Sequence, residues 1–255
     1  MNPTIVQAQA AMFYSLLESA SKDSRLGGTV GPALFSFFNR PEIKPRWLSA
    51  PASTALRFHH AFDGGLVVHT VEVFRLAQIV ANSLGELTGP TELAGWKFTS
   101  TPAGFVPYIN LLAAVALHDL NKIGDAFGLP RFEPNMIKNG TVRSDKIPYA
   151  TSEKIGKFTV LAGPSAPATT SQAMYLAEQA MEWAPDGVQS LSIVRAVDPV
   201  LFGLLSEDVK FSIIHHDGAY GKGRRLLTGN ETPLQMIMHF ADMWSSRMNK
   251  EEYRG

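Results

Sequence analysis

The chain has 255 residues, of which 45% are hydrophobic and 18% are charged. This composition supports a large core and excludes an intrinsically disordered or collagen-like chain. Basic and acidic residues number 23 each, and the zero net charge argues against a nucleic-acid track over the whole surface. With no cysteine, disulfides and thiolate ligands are excluded, so any metal has to bind imidazole and carboxylate groups.

The N-terminal sequence predicts neither secretion nor membrane insertion. Residues 1–20 lack the basic region and the continuous apolar core of a signal peptide. No segment reaches the ~18 apolar residues of a membrane-spanning helix. We therefore expect a cytoplasmic protein without membrane contact, folded as a single domain over residues 1–255.

Apolar residues recur at helical spacing along most of the chain, which predicts an all-α fold. An amphipathic helix over residues 4–20 starts an N-terminal helical extension, 1–55. Its residues 30–51 carry four prolines and predict a packed, irregular connector with only short helical pieces. The pair Gly64-Gly65 precedes a helix over 66–84. Residues 108–120 are apolar on nearly all sides, which predicts a central buried helix.

Residues 126–170 have a different character. Their spacing is irregular, and six basic residues against three acidic ones give this segment a net charge of +3. Long irregular segments in compact domains are usually functional lids or mobile insertions. We therefore predict an irregular, basic inserted lid at 126–170, followed by helices around 171–184, 187–197 and 207–215.

The last helix has the clearest start. Thr232 is a candidate N-cap, Pro233 takes the first helical position, and Gln235 follows Thr232 by three residues, as in a capping box. The apolar face that follows predicts that Asp242 is drawn toward the core.

Four side chains of metal-binding type stand on otherwise apolar helical stretches: His69, His118, Asp119 and Asp242. A buried carboxylate is costly unless it is paired or binds a cation. The nitrogen and oxygen donors favour Mn²⁺, Fe²⁺, Co²⁺, Ni²⁺ or Mg²⁺ over zinc, with positions left for water and a substrate oxygen. Taken singly, a histidine or aspartate at a helix end is usually an ordinary hydrogen-bonded polar group, but the four together are much less easily explained in that way.

The order of these residues, with Lys122 in HDLNKIGD, resembles the H…HD…D motif of the HD-domain metal-dependent phosphohydrolases. The segments 59–73, 213–221 and 232–247 are similar, in order, to the catalytic domain of bacterial HD-type 3′-to-5′ exoribonucleases. The similarity covers about residues 56–125 and 205–248, which we assign as the metal-site core. It implies an HD-domain helical bundle, a metal centre, water as nucleophile and cleavage of a phosphoester or phosphoanhydride.

The resemblance also implies roles for further residues. Asp119 would be both ligand and catalytic group, Lys122 would neutralise charge on a phosphoryl group, and His215 and His216 would act in catalysis or bind a second ion. A second ion is uncertain, because no histidine lies between positions 118 and 215. The predicted substrate-binding residues are His60, Lys122, Tyr220, Lys222, Arg224 and Arg225.

Several alternatives stay open at this level. The preferred function is a nucleotide phosphohydrolase: a nucleotidase, a triphosphohydrolase or a phosphodiesterase. The alternatives are a 3′-to-5′ exonuclease on short RNA or DNA, and a non-catalytic HD-fold protein that senses a nucleotide or binds a partner. A homo-oligomer is plausible for this class.

Asp125 is best explained as a turn residue and His239 as a packed or hydrogen-bonded histidine. The rings of Phe127, Phe132, Tyr149 and Tyr220 either stack on a base or belong to the core.

Overall fold

The computed structural model describes residues 3–26, 28–53, 60–85, 87–88, 92–93, 96–97, 106–134, 141–143, 158–160, 175–177, 184–218 and 231–247. These residues are mostly helical, as predicted. Their α-helices are α1 (Pro3–Lys22), α2 (Val30–Phe38), α3 (Lys44–Ser49), α4 (Gly65–Leu84), α5 (Tyr108–Leu117), α6 (Asp186–Val197), α7 (Pro199–Leu204), α8 (Glu207–Ile214) and α9 (Pro233–Arg247). None of these helices combines the length and the hydropathy that a membrane crossing requires.

The described strands have two or three residues each and form separate pairs. β1 (Leu87–Thr88) runs parallel to β4 (Val106–Pro107), and β2 (Glu92–Leu93) runs antiparallel to β3 (Trp96–Lys97). The other two pairs are antiparallel. They join β5 (Phe132–Pro134) to β8 (Tyr175–Ala177) and β6 (Thr141–Arg143) to β7 (Phe158–Val160).

A cluster of aromatic rings packs the N-terminal helices together. Phe13 on α1 stacks on Trp47 of α3 with ring centroids 4.2 Å apart, and Phe38 of α2 meets both rings at steep angles. Such ring pairs add about 0.5–1.5 kcal/mol each beyond the burial of their area. Because α1 also packs on α4, these helices share one continuous hydrophobic cluster with the rest of the described chain.

Three helices bring the predicted metal ligands together. His69 lies in the first turn of α4, His118 follows the last residue of α5, and Asp242 lies on α9. α4 packs against both α5 and α9, and α5 and α9 also contact each other. The ligand-bearing part of each helix therefore faces the other two.

The backbone before α4 needs its two glycines. Gly64 has φ 78°, in the left-handed region that favours glycine. A Cβ at Gly65 would lie 1.9 Å from the carbonyl oxygen of His60, so a side chain has no room there. His60 itself has φ 43°, which is uncommon for a residue other than glycine. This tight turn seats His60 beside the first turn of α4.

The turn after α5 is held from two sides. Ser190 on α6 accepts a hydrogen bond from the backbone N–H of Asn121 at 3.0 Å and donates to the carbonyl oxygen of His118 at 2.9 Å. Arg46 on α3 donates to the carbonyl oxygen of Ile123 at 2.9 Å. These bonds satisfy backbone groups of residues 118–123, the segment that follows α5.

Most of the helix predictions are confirmed. The helices predicted at 4–20, 66–84, 187–197 and 207–215 correspond to α1, α4, α6 and α8. The helix predicted at 108–120 ends at Leu117, and a 3₁₀ helix, Leu120–Ile123, follows the turn at His118 and Asp119. The connector 30–51 holds the short helices α2 and α3, whereas α7 was not predicted.

The helix predicted at 171–184 is wrong where the structure describes that range. Residues 175–177 form β8, with Leu176 opposite Glu133 of β5. Pairing with a distant segment supplies the backbone hydrogen bonds that a helix would otherwise make, and this tertiary contact overrides local helical spacing. The predicted lid at 126–170 likewise contains β5, β6 and β7, and its remaining residues from 135 onward lie outside the described ranges.

The capping box at the start of α9 generates a stability prediction. The backbone N–H of Thr232 donates to Gln235 Oε1 at 3.2 Å, and that of Gln235 donates to Thr232 Oγ1 at 3.3 Å. We expect Thr232→Ala to lower the free energy of unfolding by about 1 kcal/mol, because the cap oxygen is lost. Urea unfolding measures this loss. Thr232→Ser keeps the oxygen and should stay within ~0.5 kcal/mol of wild type; equal losses in both variants would contradict the cap.

Candidate metal centre

The nitrogen and oxygen atoms of the predicted ligands converge in the core. His69 Nε2 lies 3.3 Å from His118 Nε2 and 3.1 Å from Asp242 Oδ1, and the last two atoms are 3.7 Å apart. Asp119 Oδ2 lies 3.6 Å from His69 Nε2 and 3.9 Å from His118 Nε2. Both imidazoles are fully buried, and both carboxylates are nearly so.

These separations fit one shared cation. Ligand atoms about 2.0–2.2 Å from one ion lie roughly 2.8–3.6 Å apart at tetrahedral or octahedral angles. The three separations within the His69, His118 and Asp242 set are within a few tenths of an ångström of that range. These three buried residues can therefore hold a metal ion. Their donor atoms do not identify which metal it is.

The ends of two helices orient two of the histidines in the same way. His118 Nδ1 lies 2.8 Å from the carbonyl oxygen of Val115, and His216 Nδ1 lies 2.7 Å from that of Ile213. A carbonyl oxygen only accepts, so each Nδ1 carries the hydrogen and each Nε2 is turned toward the cluster. The three-residue spacing satisfies an orphan carbonyl at the end of α5 and of α8. The same bond thus closes the helix and aims the ring.

A buried hydrogen-bond chain reaches the third histidine. His69 Nδ1 lies 3.0 Å from Ser245 Oγ, and the Ser245 hydroxyl donates to Glu72 Oε2 at 2.8 Å. His60 Nε2 lies 3.2 Å from the same Glu72 oxygen. All four residues are buried. The chain connects α4, α9 and the turn before α4 behind the ligand atoms.

The protonation of the cluster reflects a surplus of buried negative charge. Burial lowers the pKa of His118 to about 4, even though the charge of Asp119 acts in the opposite direction. Burial also lowers the pKa of His69, but the hydrogen bond and charge of Asp242 outweigh it and raise that pKa. The pKa of His216 is raised as well, because neighbouring carboxylates outweigh its burial. Without another cation, the carboxylates therefore hold protons on neighbouring imidazoles.

Lys122 belongs to a second, adjoining charge network. Its Nζ lies 3.6 Å from Asp119 Oδ1 and forms a close salt bridge with Asp186 at the start of α6. Arg131 approaches the other Asp186 oxygen at 3.2 Å and donates to Gln189 Oε1 at 2.9 Å. Burial lowers the pKa of Lys122, but Asp119 and Asp186 raise it overall. Lys122 thus stays charged next to the candidate metal site.

The other predicted site residues fall into three groups. His216 joins the cluster, with Nε2 3.5 Å from Asp119 Oδ1, whereas the half-buried ring of His215 stacks against Phe211 at 6.0 Å between centroids. His60 lies behind the ligands at Glu72. The predictions for Tyr149, Tyr220, Lys222, Arg224 and Arg225 concern residues outside the described ranges.

Two of the more conservative interpretations match the structure. Asp125 Oδ1 accepts hydrogen bonds from the backbone N–H groups of Phe127 and Leu129, as a turn residue does. His239 Nδ1 lies 3.0 Å from the carbonyl oxygen of His216, so this histidine is hydrogen-bonded locally. Phe127 is 95% exposed and does not belong to the core, whereas Phe132 is half-buried.

The sequence interpretation missed Glu72, Ser245 and Asp186. The first two had a usable signal, because each lies three residues after a predicted ligand, on the same helical face. Asp186 had none, since its two partners lie more than 50 positions earlier in the chain. Arg131 was counted as part of a basic lid, yet it is buried against Asp186 and Gln189.

Comparisons with protein-family models, with curated proteins and with solved structures found no match.

The Asp186 network generates a pH-dependent prediction. Burial raises the pKa of Asp186, but the charges of Lys122 and Arg131 outweigh it and lower this pKa from 3.8 to about 2. A depressed pKa stabilises the fold above pH 3.8, and this stabilisation is lost as the pH falls toward 2. We therefore expect Asp186→Asn to cost about 2 kcal/mol at neutral pH and progressively less below about pH 4.

Urea unfolding of wild type and variant at neutral and acidic pH measures that difference. Glu207→Gln, which neutralises an exposed carboxylate of α8, is the matched control and should cost less than ~0.5 kcal/mol at every pH. A loss at Asp186 that does not change with pH would contradict the ion-pair explanation.

Proposed function

We propose that this protein is a metal-dependent phosphohydrolase of the HD type, acting on a nucleotide or another phosphorylated small molecule. The observation that carries the proposal is the meeting of His69, His118 and Asp242, whose ligand atoms lie within 3.7 Å of one another, next to Asp119 and the partly buried Lys122. Three helices are needed to bring these groups together, and the order of the residues resembles the H…HD…D motif.

The charge of the cluster is the physical argument for a cation. Asp119 and Asp242 are both buried, and desolvation penalises each negative charge. A buried charge is tolerated when it is paired or binds a metal. Lys122 is shared with Asp186, so the lysine alone does not neutralise the cluster. A divalent ion would complete the neutralisation and take the place of the proton that His69 otherwise holds.

The proposed ligands are His69, His118, Asp119 and Asp242. A divalent ion held by them would supply a Lewis acid for a phosphoryl oxygen and lower the pKa of a bound water. His118 is suited to the role because its low pKa leaves Nε2 without a proton at neutral pH. Mn²⁺, Fe²⁺, Co²⁺, Ni²⁺ and Mg²⁺ suit these donors better than zinc does.

Two side chains next to the ligands would act on the phosphate itself. Lys122 Nζ, 3.6 Å from Asp119, would offset the negative charge that grows on the phosphoryl oxygens in the transition state. His216, whose raised pKa keeps it protonated at neutral pH, would donate a proton from Nε2 to the leaving oxygen. Asp119 contacts both side chains and would orient the attacking water.

Metal binding is the first test. We expect the wild-type protein to bind Mn²⁺ or Co²⁺, and we expect His69→Ala, His118→Ala and Asp242→Asn each to weaken binding more than ~100-fold. The reason is that loss of a ligand costs more than loss of an outer hydrogen-bond partner, which typically costs 10–100-fold. Isothermal titration calorimetry measures the dissociation constants. Glu207→Gln, at an exposed carboxylate of α8, is the control and should bind as wild type does.

Activity is the second test. Purified protein with Mn²⁺, Ni²⁺, Co²⁺ or Mg²⁺ should hydrolyse at least one member of a panel of nucleotides and short RNA or DNA strands. Asp119→Ala should abolish turnover, and Lys122→Met should lower kcat about 10²–10³-fold, because a charge opposite the transition state is lost. Glu207→Gln is again the control.

The products on that panel separate a nucleotidase, a triphosphohydrolase, a phosphodiesterase and an exonuclease. Tight binding of metal and nucleotide without any turnover would instead support a non-catalytic binding protein and would refute the hydrolase proposal.

A further inference from the structure

The hydrogen-bond chain behind His69 has a defined direction. Glu72 is a carboxylate and only accepts hydrogen bonds, so the single hydroxyl hydrogen of Ser245 is donated to Glu72 Oε2 at 2.8 Å. The Ser245 oxygen then has only lone pairs left for His69 Nδ1, 3.0 Å away. His69 Nδ1 must therefore carry a hydrogen.

This direction decides which nitrogen of His69 can bind a cation. With the hydrogen on Nδ1, the neutral ring has its lone pair on Nε2, the atom that faces His118 and Asp242. The opposite tautomer would turn an N–H toward the cluster and could not bind a metal there. His118 obtains the same tautomer from a backbone carbonyl, but Nδ1 of His69 has Ser245 as its partner.

We propose that Glu72 is a positioning residue, which acts through Ser245 to fix the Nδ1–H tautomer of His69 and keep Nε2 available for the metal. The inference rests on the metal site proposed above and is independent of the phosphate chemistry. The burial of Glu72 and Ser245 supports it, because water has little access to exchange with the bonds between them. Glu72 and Ser245 lie one helical turn from His69 and Asp242, so each ligand helix also supplies a supporting residue.

The tautomer is the first readout. In metal-free protein with ¹⁵N-labelled histidine, at a pH at which the ¹⁵N shifts of His69 report a neutral ring, long-range ¹H–¹⁵N NMR distinguishes the two tautomers. Wild-type His69 should be protonated on Nδ1. In Glu72→Gln the side-chain amide can donate to Ser245, the hydroxyl is freed to donate to His69 Nδ1, and the hydrogen should move to Nε2 in a substantial fraction of molecules. An unchanged tautomer would overturn the proposal.

Cobalt affinity is the second readout. Titration of Co²⁺, followed by its d–d absorption, should show binding weakened about 10–100-fold in Glu72→Gln and in Ser245→Ala. Ser245→Thr keeps the hydroxyl and should stay close to wild type. The matched controls are Ser246→Ala, on the next residue of α9, and Glu207→Gln, at an exposed carboxylate of α8; both should bind within about 2-fold of wild type.

The two readouts keep this inference separate from the proposed function. If wild-type protein binds no cobalt, the metal-site proposal fails, and the tautomer measurement still decides whether Glu72 directs His69. If Glu72→Gln changes the tautomer but cobalt affinity stays within 2-fold of wild type, the positioning role is refuted. Should Ser245→Ala fail to fold, Glu72→Gln and Ser245→Thr still decide the question.

Discussion

The cost of burying carboxylates is the constraint on which the rest of this structure depends. Asp119 and Asp242 lie where desolvation penalises their charge. They are tolerated because imidazoles, a lysine and, in our proposal, a divalent cation surround them. The helices that bring these groups together are apolar on most of their surface, so the burial of α4, α5 and α9 supplies the free energy that holds the charged cluster in place.

Helix ends do much of the positioning. His118 directly follows α5, and His216 lies two residues after the end of α8. The Nδ1–H of each histidine donates to a carbonyl of the last helical turn, so a local backbone requirement also directs Nε2 into the site. His69 lies near the start of α4, inside the helix, where the backbone carbonyls already accept helical hydrogen bonds. Ser245 and Glu72 take over that function from neighbouring positions, which explains why a buried glutamate accompanies this ligand and not the other two.

Two charge networks meet at Asp119. One runs through Lys122 to Asp186 and Arg131, and the other contains the histidines and Asp242. In the first network, Asp119 and Asp186 keep Lys122 charged, and this lysine lies next to the histidines of the second network. In our proposal, the cluster that can hold a cation and the fixed positive charge of Lys122 act together on a phosphorylated substrate, whose oxygens can contact both. The turn that separates α5 from its 3₁₀ helix makes this meeting geometrically feasible, since it places residues 118, 119 and 122 on one side.

The residue sequence by itself determined the helical class, the bounds of most helices, the capping box at Thr232 and the four candidate ligands. Each depends on spacing of 3–4 residues or on apolar surroundings, which are properties of a short stretch of chain. Tertiary structure decided the rest. Tyr175–Ala177 became a strand because it pairs with β5. Arg131, which the sequence placed in a basic lid, instead forms a salt bridge with Asp186 on α6. Lys122 pairs with the same aspartate. The tautomer of His69 was also fixed only by packing, because Ser245 is 176 positions away in the chain and reaches that ring only when α9 lies against α4.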